Sequence, residues 1–103
     1  MQNMRLAATQ ASTLLKALAN PDRLLLLCQL SQGEQCVSEL EKLLAIVQPT
    51  LSQQLGVLRE ERLVRTRRDG KQIFYSIAST EALAVMQVLY DQFCNPGSGE
   101  KND

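Results

Sequence analysis

Leucines recur at helical spacing along most of this chain, and a few punctuating residues divide the pattern into helices. The stretch from Met4 to Leu18 carries Leu14, Leu15 and Leu18 on one side and predicts a first helix. Asn20-Pro21 restarts the chain, because Asn is a good N-cap and Pro suits the first helical position. The second helix then runs from Pro21 to about Leu30, apolar on nearly all its inner faces, and Gln32-Gly33 ends it. A third helix is expected from Cys36 or Val37, with Glu39 at the capping-box position and Leu40, Leu43 and Leu44 as its buried stripe. The fourth, Gln48 to Arg62, places Leu51, Leu55 and Leu58 at i, i+4 and i+7 on one edge. Thr50, Gln53 and Val57 fall on its opposite arc, with Ser52 and Gln54 on the flanks.

The period then changes. Residues from Leu63 to Ile77 are rich in β-formers around Asp69-Gly70, a strong hairpin signal. Thr80-Glu81 opens a last helix, from about Glu81 to Cys94, with Leu83, Met86, Tyr90, Phe93 and Cys94 on one broad face. Such a face either packs on its own domain or serves as a dimer surface, and the small core favours the dimer. The pattern therefore predicts one domain over residues 1–94. Residues 95–103, made of Gly, Ser and charged groups, are expected to form a flexible C-terminal tail. No internal repeats are evident.

Composition narrows the class. The 103 residues are 45% apolar and 21% charged, ordinary for a globular domain. With aromatics at 4% and no Trp, the core must be built of Leu, Ile, Val and Ala. No run approaches the roughly 18 apolar residues of a membrane span, and no signal-peptide pattern is present, so a cytoplasmic location is expected. Cys28, Cys36 and Cys94 are an odd number without CxxC spacing, which argues against a disulfide framework or a zinc knuckle. No cofactor is implied. A thiol enzyme would need a His base or a CxxC pair, and the chain has neither.

Net charge is zero, yet its distribution is uneven. Arg62, Arg65, Arg67, Arg68 and Lys71 cluster on the hairpin against one anion, Asp69, while acids such as Glu34, Glu39, Glu41, Glu81 and Asp91 lie elsewhere. The cluster alone is equally compatible with a solvated hairpin. Preceded by a short polar helix free of acidic groups on its outer face, it suits a helix that enters a DNA groove beside a wing that grips phosphate. The base-reading candidates are Gln48, Thr50, Ser52, Gln53 and Gln54. Gln pairs with adenine, and the lack of Arg or Lys removes the strongest guanine contact, so an A·T-tolerant half-site is expected. Arg65, Arg67, Arg68 and Lys71 are the phosphate or minor-groove candidates. Alternate hairpin residues point to opposite faces, so some of these must be solvated. A protein-interaction module of the same shape without DNA affinity is the competing reading of these elements.

Four segments carry a resemblance to the ArsR/SmtB family of bacterial repressors: Leu-Ala-Asn-Pro-Asp-Arg (18–23), Val-Ser-Glu-Leu (37–40), Gln-Pro-Thr-Leu-Ser-Gln-Gln-Leu (48–55) and Arg-Arg-Asp-Gly-Lys-Gln-Ile-Phe-Tyr (67–75). The resemblance covers about residues 10–94. It implies a mostly α fold with a β-hairpin wing, a winged helix-turn-helix that is a homodimer through its first and last helices. It further implies binding to a double-stranded operator with inverted-repeat symmetry, and release on sensing an inducer. Val47 departs from the Ser or similar cap that the family carries there.

The same resemblance frames the cysteines. The family's zinc sensors use His and carboxylates on the last helix, and this chain has no His. Its arsenic sensors often carry Cys-Val-Cys on the third helix, where this chain has Cys36-Val37-Ser38. A metal site is therefore not expected. Cys28 in the second helix and Cys94 at the end of the last resemble the branch typified by BigR, SqrR and HlyU, which senses persulfides and related oxidants through a dithiol. That branch implies a Cys28–Cys94 sensor crosslinked by reactive sulfur. The alternative is induction by arsenite or another thiophilic ion bound by thiolates that include Cys36. Read without the family, Cys28 is more readily an inert small hydrophobe, and Cys94 is equally a frayed helix end. In a helical bundle both would face inward, Cys94 beside Leu83 and Tyr90.

Overall fold

The computed structural model describes residues 2–94, so the expected tail at 95–103 lies outside the described residues. In chain order the elements are α1 (Gln2–Leu18), α2 (Pro21–Leu30), β1 (Gln35–Cys36), α3 (Val37–Leu44), α4 (Thr50–Glu60), β2 (Val64–Asp69), β3 (Gln72–Ile77) and α5 (Thr80–Leu89). A π-helical turn, Tyr90–Cys94, continues α5. The structure is a winged helix-turn-helix, mostly helical, with the predicted hairpin.

Local chemistry explains the element starts. Asn20 is extended, and its Oδ1 accepts the Arg23 backbone N–H at 3.0 Å, with Pro21 next in line. Glu39 Oε1 accepts the Cys36 N–H at 3.0 Å, so the predicted capping-box half is present at α3. Ser79 Oγ accepts the Ala82 N–H at 3.0 Å and starts α5 one residue before the expected Glu81. Ala45 stops α3 in the left-handed conformation, φ 56°, the usual device for turning a chain off a helix end.

Three expectations change. The fourth helix is shorter than Gln48 to Arg62, running from Thr50 to Glu60. Pro49 cannot donate a backbone hydrogen bond, and Arg62 turns left-handed at φ 62° to deliver Leu63 to the sheet. The hairpin loop is Gly70-Lys71, because Asp69 and Gln72 are already paired. Gly70 takes φ 65° at the first central position, the conformation of a type II′ turn. Finally, β1 was not expected. It adds an antiparallel edge with Gln35 opposite Tyr75 and Cys36 opposite Phe74, giving the order β1-β3-β2.

The core sits where α2, α3, α4 and α5 meet the sheet. Leu26, Leu27, Leu40, Leu51, Leu55, Leu58 and Met86 are fully buried within it. Each such side chain contributes about 1.5–3 kcal/mol by leaving water, so the predicted edge of α4 is what seats the helix. By contrast α1 is held near its end: Ala17 and Leu18 are buried and Leu14 packs against the core, while Met4, Leu6 and Leu15 are more than half exposed. No helix among the described residues is long and apolar enough to cross a membrane.

Candidate nucleic-acid interface and thiol groove

The outer side of α4 presents Ser52 and Gln53 to solvent, with Thr50 half-buried at its start. Gln48 replaces the missing cap. Its Oε1 accepts both the Ser52 backbone N–H at 3.1 Å and the Ser52 hydroxyl at 2.8 Å. The helix start is thereby fixed although Val47 cannot cap it, and Gln48 and Ser52 are presented as one unit.

Gln54 is placed differently from the other candidates. Arg23 Nη1 donates to its Oε1 at 2.9 Å, while Arg23 Nε donates to the Ala17 carbonyl at 2.6 Å. One guanidinium thus ties the end of α1, the start of α2 and the recognition helix together. Leu18 to Arg23 is legible as a helix junction, but Arg23 as the hub of that junction is visible only in three dimensions.

On the wing, Arg65, Arg68 and Lys71 are exposed and have no ion-pair partner among the described residues. Arg67 is engaged. Its Nη2 and Nε donate to Glu34 Oε1 and Oε2 at 2.8 and 3.1 Å, and its guanidinium lies 4.7 Å from the Phe74 ring centre. Phe74 is the directly opposed residue on β3, so Arg67 reaches across the sheet to the segment that leads into β1. The Arg67 guanidinium holds the Glu34 carboxyl below its ordinary range, through the hydrogen bond first and its charge second. Sequence reasoning counted Glu34 among the distant balancing acids and missed this pairing.

The cysteines separate into two places. Cys28 and Cys94 share the wall of one hollow, about 550 Å³, with Pro21, Leu24, Leu25, Leu89 and Phe93. Both are free thiols, Cys28 half-buried and Cys94 exposed. The expectation that Cys94 faces inward is corrected: at the end of the π-helical turn it is exposed on the wall of the hollow and not part of the core. Burial pushes the Cys28 thiol above its ordinary value of 9.0, and the charge and hydrogen bonding of Cys94 push it the same way. Cys36 is buried at the start of α3 and lines another hollow with Ser38, Glu41 and Lys71. Among the described residues no three His, Cys, Asp or Glu side chains gather as a metal site.

A helix-turn-helix whose second helix offers small polar groups outward, flanked by a cationic hairpin, defines a DNA-binding transcriptional regulator rather than an enzyme. Residues 20–66 match the model of the bacterial regulatory proteins of the arsR family. The chain is 56% identical over 93 residues to a biofilm growth-associated repressor of Agrobacterium fabrum, covering 90% of this chain and 80% of that one. The crystal structure of the transcriptional repressor BigR from Xylella fastidiosa superposes with a TM-score of 0.85 at 48% identity, over 92% of this chain and 94% of that one. Reduced HlyU from Vibrio cholerae gives a TM-score of 0.86 at 40% identity, over 91% and 99%. The chain belongs to the ArsR family of transcriptional regulators, among relatives of the repressor type.

Proposed function

We propose that this protein is a homodimeric repressor that binds an inverted-repeat operator when reduced and releases it when reactive sulfur links Cys28 to Cys94. The observation that carries the reading is the shared hollow: two free thiols from α2 and the terminal turn line one wall. Cys94, at the rim, is the attacking group. Cys28, whose raised pKa keeps it protonated at neutral pH, is the resolving group and ionises as it reacts.

The chemistry balances without a further oxidant. Cys94 attacks the outer sulfur of a persulfide RSSH, forming a persulfide on Cys94 and releasing RSH. Cys28 then attacks Cys94 Sγ and expels hydrogen sulfide, leaving a disulfide. If a second RSSH has first converted Cys28 to a persulfide, releasing RSH, its outer sulfur makes that attack instead, hydrogen sulfide leaves and a trisulfide forms. Either tether joins α2 to the end of α5. Exposed Met4, Leu6 and Leu15 on α1, with Val88 on α5, support dimerisation through the first and last helices. A tether at the last helix then alters the spacing of two recognition helices on DNA. A coupling of about 1–3 kcal/mol is enough for control.

On DNA, Gln48, Thr50, Ser52 and Gln53 face the bases, and Arg65, Arg68 and Lys71 take the phosphates. Gln54 and Arg67 position those two elements. The test is fluorescence anisotropy of the reduced protein on its own promoter, repeated anaerobically after glutathione persulfide. Binding lost on treatment and restored by a thiol reductant is expected, with Cys28→Ser and Cys94→Ser proteins binding but not responding. Full response in both variants would overturn the dithiol, and a response that instead requires Cys36 would point to thiophilic ions.

A further inference from the structure

The hollow that holds the two thiols has a composition of its own. Leu24, Leu25, Leu89, Phe93 and Pro21 complete its lining, so apart from sulfur it offers only hydrocarbon. Leu25 and Phe93 stand outermost, 46% and 82% exposed. No cation lines it. The nearest basic group on α2, Arg23, is occupied by Gln54 and the carbonyls of Ala17 and Lys16. A second hollow lies between the end of α2 and the same terminal segment, lined by Ser31, Gln32, Gln87, Tyr90 and Asp91. Among the described residues its one charged group is the Asp91 carboxylate. A donor reaching Cys94 through the first hollow therefore meets hydrocarbon and, among the described residues, no cation.

We propose that this groove selects the sulfur donor, favouring persulfides with an uncharged, apolar alkyl or aryl tail over those with an anionic, hydrophilic one. The inference rests on the dithiol reading above and names the substrate class of that site. The tail lies along Leu25, Leu89 and Phe93 while the outer sulfur meets Cys94 Sγ. The step is the one already balanced: the tail leaves as RSH, the sulfane sulfur ends as hydrogen sulfide, and the two thiols are oxidised to the link. Hydrocarbon walls lower the barrier for an apolar donor because its tail leaves water on approach. They give an anionic peptide persulfide nothing to replace its hydration.

Each methylene withdrawn from water favours the bound state about fourfold. A butyl tail half covered by the groove should therefore react roughly tenfold faster than a methyl one. The experiment measures second-order rates of crosslinking in the full reduced chain, by acid quench and intact mass spectrometry. Methyl, propyl, butyl and benzyl persulfides and glutathione persulfide are the donors, each normalised to its rate with N-acetylcysteine methyl ester. A normalised rate that rises with tail length, with glutathione persulfide slowest, is the expected result. In Leu25→Gln and Phe93→Gln proteins, altered at exposed positions, the rise should flatten to within about threefold.

A flat normalised series in the wild-type chain overturns the inference and leaves the dithiol reading intact. A rising series unchanged in both variants also overturns it, because the selection then lies elsewhere. Absence of a crosslink with every donor removes the dithiol reading and this inference with it.

Discussion

Arg23 and Gln54 join the helix that carries Cys28 to the helix that faces DNA, Nη1 to Oε1, at 2.9 Å. Cys28 lies little more than one helical turn further along α2. The same guanidinium holds the Ala17 and Lys16 carbonyls at the end of α1. A displacement of α2 by a tether on Cys28 is thus felt by both the recognition helix and the helix that carries the proposed dimer contact.

Replacing Gln54 with Ala should cost only about 1 kcal/mol of stability, since Arg23 keeps its carbonyl partners. Urea denaturation measures this. The larger effect is expected on control: the difference in operator affinity between reduced and crosslinked protein should shrink. An unchanged difference would show that the link fastens the fold without carrying the signal.

Glu34→Gln should release Arg67 from its partner and make its full charge available to a phosphate. Operator affinity should rise, and the salt dependence should steepen by up to about one counterion per wing. The pH dependence has a definite sign. The Glu34 pKa is lowered in the fold from an ordinary 4.5, so its contribution is present above pH 4.5 and is lost as pH falls through the lowered value. Phe74 ring resonances followed by NMR during acid titration should report the clamp opening only below that pH.

Cys94→Ser should lower the pKa of Cys28, because it removes a neighbouring charge and hydrogen bond that raise it, while the burial contribution, which is largest, remains. The pH profile of Cys28 alkylation should therefore shift to lower pH but stay above that of an exposed thiol. In the native chain the raised value makes the folded state hold its proton more tightly than the unfolded one. Stability from this group is complete below pH 9.0 and declines as pH rises towards the raised value.

Leu58→Ala should destabilise the domain by about 2–5 kcal/mol, because Leu58 is fully buried where α4 meets the core and leaves a cavity. Thermal melts should show it directly. Loss of DNA binding in this variant should track unfolding and recover at low temperature.

Much of the fold was legible because its signals are local. Asn20-Pro21 marks a helix start from adjacent residues, and Leu51, Leu55 and Leu58 mark a buried edge within one helix. Gly70 marks a turn, although its place in the loop was off by one. The misses share a different cause. Strand β1 exists only because Phe74 and Tyr75 offer it a ladder, a partner far along the chain. The pairing of Arg67 with Glu34 and that of Arg23 with Gln54 likewise join residues more than thirty apart. Polar and charged side chains on a helix or hairpin look alike in sequence whether they face DNA or each other. The position of Cys94 depended on a helix widening into a π turn, which the spacing of apolar residues does not reveal.

The first helix has a consequence for dosage. It is anchored near its end, at Leu14, Ala17 and Leu18, while Met4, Leu6 and Leu15 are exposed. Helices in proteins take most of their stability from packing an apolar face rather than from intrinsic propensity, so the exposed part of this one depends on whatever covers it. In the proposed homodimer that cover is a second copy, which makes folding obey mass action. The melting temperature should climb as the protein is concentrated, and a cell making little of it would hold a looser population. Abundance would then act as a control on the regulator before any inducer arrives.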